Sequence, residues 1–70
     1  MTFADDTGTE REMVERHVRE GAAHVARQRE IVERLPASGE VAEIARVLLA
    51  EFEATLGLHR AHLARLQGAG

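Results

Sequence analysis

Apolar residues in this chain recur at alternating steps of four and three, and the rhythm is interrupted once, at Pro36-Ala37-Ser38-Gly39. Before the interruption the row is Val14, Val18, Gly21, Val25, Gln28, Val32 and Leu35, flanked on one side by His17, His24 and Ile31. After it the row is Val41, Ala45, Leu48, Phe52, Thr55, His59, His62 and Leu66, broadened by Ile44, Leu49, Leu56 and Leu63. A four-three spacing places one side chain per turn on a single helix face, so each row predicts an amphipathic helix with a heptad seam. A connection this short leaves the helices no arrangement except antiparallel neighbours. The expected fold class is therefore all-α, an antiparallel two-helix hairpin.

Local signals set the boundaries. Thr9-Glu10-Arg11-Glu12 has the form of a capping box, in which the threonine oxygen accepts the Glu12 amide and the Glu12 carboxylate returns to the Thr9 amide. Pro36 lacks an N–H and disfavours helical geometry at Leu35. Ser38 is the expected N-cap of the second helix, with Glu40 and Glu43 in its first turn. The reading is a hairpin over 9–67, with helices at about 10–35 and 40–67 and a turn at 36–39. Residues 1–8 lack periodicity and are expected to be disordered, and 68–70 to fray. Glu12–Arg16, Glu15–Arg19 and Glu30–Arg34 have the spacing of ion pairs on a solvated face.

Size then asks for more than a hairpin. A core within 70 residues rarely supplies more than about 3–5 kcal/mol, and small domains add disulfides, a metal or a partner subunit. There is no cysteine, which leaves metal binding or self-association. The second helix carries an additional row of mostly small residues, Val47, Ala50, Ala54, Gly57, Ala61 and Ala64, away from its first seam. A helix apolar nearly all round is normally buried nearly all round, so this row is the expected contact of a homodimer forming a four-helix bundle. The competing reading is that alanine is simply the best helix former.

In a hairpin turning at residues 37–38, Gln28 is expected opposite Leu48, Gly21 opposite Thr55, His17 opposite His59, and Val14 opposite His62. Gly21 gives up about 1 kcal/mol of helix propensity relative to alanine, which calls for a bulky neighbour, with Phe52 the best candidate. Folding draws His17 toward His59 and His62, Glu20 or Glu10 could add a carboxylate, and a dimer would double the set, a ligand inventory for zinc or another transition metal. The blander alternative is a polar layer that fixes register or senses pH. Neither Glu-x-x-His nor His-Glu-x-x-His is present.

The sequence points away from other classes. Net charge is −3, from 12 acidic and 9 basic residues, so no pull toward nucleic acid or anionic lipid is expected. No apolar run approaches the roughly 20 residues of a membrane span. Met1–Asp6 is acidic and lacks the basic region of a secretory signal, giving a cytoplasmic expectation. With no cysteine nucleophile, no phosphate-cradling glycine loop and Ser38 remote from the histidines, no enzyme is expected.

The strings His17-Val18-Arg19-Glu20-Gly21, Arg27-Gln28-Arg29-Glu30-Ile31-Val32 with Leu35, Leu48-Leu49, Phe52-Glu53, Leu56 and His59-Arg60 resemble a group of short uncharacterised alphaproteobacterial helical-hairpin proteins. The resemblance spans most of 12–66 and consists mainly of seam residues. It implies a helical hairpin and no catalytic role. Gly39 matches a turn glycine usual in that group, whereas Pro36 is less typical of it. Residues and resemblance together give the expectation of a structural or protein-interaction module acting as a homo-oligomer.

Overall fold

The computed structural model describes residues 9–68. They form two helices, α1 (Glu10–Arg34) and α2 (Glu40–Gly68), packed against each other as an antiparallel hairpin, with no strand among the described residues. The expected disorder of 1–8 and fraying of 69–70 lie outside them, and Gly68 belongs to the last turn of α2.

The capping box forms as read. Thr9 Oγ1 accepts from Glu12 N at 3.0 Å, and Thr9 N donates to Glu12 Oε1 at 3.0 Å. This satisfies two backbone donors that a helix start otherwise leaves without a partner. It also holds the Glu12 carboxylate back from Arg16. Among the described residues the one (i, i+4) ion pair is Arg11–Glu15, 3.8 Å apart, not the three expected. The Glu15 carboxylate turns toward the amino end of the helix, while Glu30 and Arg34 stay exposed and solvated.

At the other end of α1, Leu35 leaves helical geometry (φ −88°, ψ 156°), the extended conformation that a following proline imposes. Its N–H still bonds Val32 O at 3.2 Å. The start of α2 differs from the expectation for Ser38. Gly39 O accepts from Glu43 N at 3.0 Å, so Gly39, one residue later, is the N-cap. Its φ of +119° is open to glycine and strained for any residue with a Cβ. The turn is tied from α2 by Arg46 Nη1, which donates to Ala37 O at 3.2 Å.

Between the helices lie Val14, Val25 and Gln28 of α1 and Ala42, Ala45 and Leu56 of α2, all buried. Half-buried Leu49, Phe52, His59, Leu63 and Leu66 continue the α2 line. The seam of α2 thus runs through Ala42, Ala45, Leu49, Phe52, Leu56, His59, Leu63 and Leu66. Compared with the sequence expectation, α2 is turned so that Val41, Leu48 and Thr55 face outward. The cause is Gln28. A buried amide must find a hydrogen-bond partner, and Gln28 Nε2 donates to Ala45 O at 2.9 Å. Two alanines opposite leave room for that reach; a leucine at the same place would fill it. The same rotation places Leu56, not Phe52, against Gly21. A Cβ on Gly21 would stand 3.2 Å from Leu56 Cδ1.

The rotation leaves the core thin. Among the described residues five hydrophobic ones are buried, two of them alanines, while Ile31, Val41, Ile44, Val47, Leu48 and Leu58 are 40–70% exposed. Among the described residues no helix is long and apolar enough to cross a membrane.

Candidate interaction surface

Two grooves run along the junction of the helices, and they differ in chemistry. On one side Arg29 Nη2 donates to Glu53 Oε2 at 2.9 Å, beside Ala22, Ala26 and Arg60. Both partners of this pair are about half exposed (55% and 47%), so a solvated ion pair bridges the groove. On the other side His17, Glu20, His24, Phe52, Thr55 and His59 line an open depression. Among the residues that line it no ion pair crosses, and beyond them toward the open end Glu10 and His62, one heptad from His17 and Thr55, meet across the same side.

The second groove is continuous with exposed apolar surface. Val41 and Leu48 precede His59 by about five and about three whole turns, so all three share one face of α2. Ile31 follows His24 by about two turns and shares its face of α1. Toward the turn this side of the hairpin therefore presents Ile31, Val41, Ile44 and Leu48; toward the open end it presents imidazoles. Single exposed apolar residues are ordinary on protein surfaces, but a contiguous group marks a place where something docks.

The histidines expected to converge are divided between two contacts. His17 and His59 meet across the hairpin with ring centroids 5.1 Å apart and planes inclined by 47°. His62 pairs instead with Glu10, Nε2 and Oε2 lying 3.1 Å apart, the ring donating in the tautomer that carries its proton there. The described residues of the chain contain no group of three or more metal-binding side chains placed to hold an ion. His17, His59 and His62 therefore do not form the three-imidazole cluster read from the sequence. One turn of α2 separates the imidazoles of His59 and His62, and α1 offers each a different partner. Two further contacts complete this region: His24 lies against Phe52, centroids 5.9 Å apart, which the sequence reading missed, and Glu10, one of the two carboxylates it placed near the histidines, reaches His62. The spacing of His24 from His17 and of Phe52 from His59, seven residues each, was the available signal for the first.

The small-residue row is where the sequence put it. Val47, Ala50, Ala54, Gly57, Ala61 and Ala64 all lie exposed on α2, turned away from α1. A Cβ built on Gly57 would meet no other atom within 4 Å. Nearby, Ile44, Val47, Leu48 and Ala50 make an apolar strip rimmed by Glu43, Arg46 and Glu51. Comparison with protein-family models, curated proteins and solved structures finds no match for this chain, so the functional reading rests on its geometry.

Proposed function

We propose that this chain is a small structural and protein-interaction module that acts as a homo-oligomer, two hairpins closing into a four-helix bundle in the cytoplasm. The observation that carries the reading is the imbalance between buried and exposed apolar side chains. Among the described residues six large ones are exposed, against Val14, Val25 and Leu56 as the large ones buried. At about 25 cal/mol per Å² of apolar surface removed from water, covering such residues supplies stability that a single seam does not. Neither catalysis nor nucleic-acid binding is part of this reading.

Two surfaces of α2 compete for the partner hairpin: the small-residue row centred on Ala54, and the groove side containing Leu48. Sedimentation equilibrium tests the reading directly. The expected result is a dimer at tens of micromolar, whose unfolding midpoint rises with concentration because association stabilises only the folded chain. A monomer at that concentration that still unfolds cooperatively overturns it. Ala54→Glu and Leu48→Glu separate the two surfaces, because a carboxylate forced into a dry interface dissociates it.

A further inference from the structure

We propose that the His17–His59 pair is half of a divalent transition-metal site, completed by the same pair of a second copy in one four-imidazole layer. This rests on the bundle reading above and assigns it a face, a symmetry and a ligand. The chain alone brings together two imidazoles, with centroids 5.1 Å apart, in a depression open on one side. Zinc in a closed site takes four nitrogen, sulfur or oxygen ligands in a tetrahedron. Two copies related by a two-fold axis supply four.

The occupant of that open side follows from area and from the order of residues along it. A 29-residue helix is about 43 Å long, and two packed helices present a face about 20 Å wide. That is about 800 Å², the contribution of one partner to an interface of standard size. The opposite groove is bridged midway by the solvated Arg29–Glu53 pair, whose charges would have to be dried to cover it.

Symmetry follows from where the apolar residues stand. Ile31, Val41, Ile44 and Leu48 occupy the turn half of the face, and His17 and His59 the open half. A two-fold axis perpendicular to the helices would lay Ile31 and Leu48 of one copy on the imidazoles of the other, burying polar nitrogens without partners. An axis parallel to the helices sets apolar on apolar. It also places His17 and His59 of both copies in one layer between facing helices, the position in which bundles hold metals. Glu20 lines the same depression, a carboxylate of the kind that orients ligand imidazoles in metal sites.

The test is a zinc titration of the full chain by calorimetry, with mass measured in parallel by light scattering, in chelator and in zinc. The expected result is one zinc per two chains, a dimer in both conditions, and binding abolished by His17→Ala and by His59→Ala. His62→Ala, which removes the imidazole held by Glu10, is expected to bind zinc as the unaltered chain does. Helicity by circular dichroism and mass in chelator confirm that each variant still folds and pairs. Cobalt in place of zinc is expected to give the visible absorption of a tetrahedral ion. A dimer that binds no zinc overturns this inference and leaves the function reading standing. So does one zinc per chain, or equal loss in His62→Ala and His59→Ala. A monomer in both conditions overturns both. Dissociation by Ala54→Glu but not by Leu48→Glu keeps the bundle and refutes the face chosen here.

Discussion

Among the described residues Gln28 is the one buried polar residue, 8% exposed, and its amide lies 2.9 Å from Ala45 O. Replacing it by alanine removes that bond, worth about 1 kcal/mol net. It also removes packing equal to two methylene groups, at about 0.8 kcal/mol each. Better helix propensity returns a few tenths. The expected loss is about 2 kcal/mol, half or so of what a core of this size supplies. In a domain of 60–100 residues that lowers the melting temperature by about 8–16 °C. Gln28→Leu isolates the polar part of the effect. Ala45 O keeps its place in the α2 hydrogen-bond ladder, so no acceptor is stranded, and the apolar group avoids the cost of burying an amide. Its stability is expected within about 1 kcal/mol of the unaltered chain. What it loses is the preference of α2 for this rotation over the one that turns Val41 and Leu48 inward. Urea unfolding followed at 222 nm, at one fixed chain concentration, measures both stabilities. A loss below about 0.5 kcal/mol for Gln28→Ala would mean that the amide does not set the rotation of α2.

Thr9→Ala removes the acceptor for Glu12 N and is expected to cost about 1 kcal/mol, read from the same unfolding curves; a neutral result would dissolve the capping box. Gly21→Ala gains about 1 kcal/mol of propensity and presses a methyl to 3.2 Å from Leu56 Cδ1. In a Leu56→Ala background, itself costing about 2–5 kcal/mol, the same change is expected to recover the full 1 kcal/mol. Equal effects in both backgrounds would show that the two residues do not touch. Arg29 and Glu53, both about half exposed, are expected to contribute less than about 1 kcal/mol in a double-mutant cycle, and less still in high salt. A larger or salt-independent coupling would mean that this groove is covered.

The sequence carried the ends of α1 clearly, because Thr9 with Glu12 and Pro36 each act on the backbone within one turn. It carried the pairing of His17 with His59 too, since a short turn fixes which residues stand abreast. It did not carry the rotation of α2. Ala45, Phe52, His59 and Leu66 belong both to the row through Val41 and Leu48 and to the row through Ala42 and Leu49. With apolar residues on most of its faces, α2 has no strong preference of its own. The choice is made by one amide on the other helix, an interaction that hydrophobic periodicity does not register. The neighbour of Gly21 was misread for the same reason. Gly39 was passed over because Ser38 is the better N-cap by side chain, while the turn needed a positive φ.

The hydrogen bonds across the hairpin differ greatly in how much chain they enclose. Gln28 and Ala45 are separated by 17 residues, His62 and Glu10 by 52. Loop closure scales as the logarithm of the enclosed length, so joining the far pair first costs about 1 kcal/mol more in chain entropy than joining the near one. The hairpin is therefore expected to close from Pro36–Gly39 outward, with the layer of His17 and His59 among the last to form. On opening the order reverses. Amide exchange is expected to be slowest around Val25, Gln28 and Ala45 and fastest toward Thr9 and Gly68. An ion or a partner arriving at the imidazoles would thus meet the part of the molecule that separates most readily, and would hold it shut.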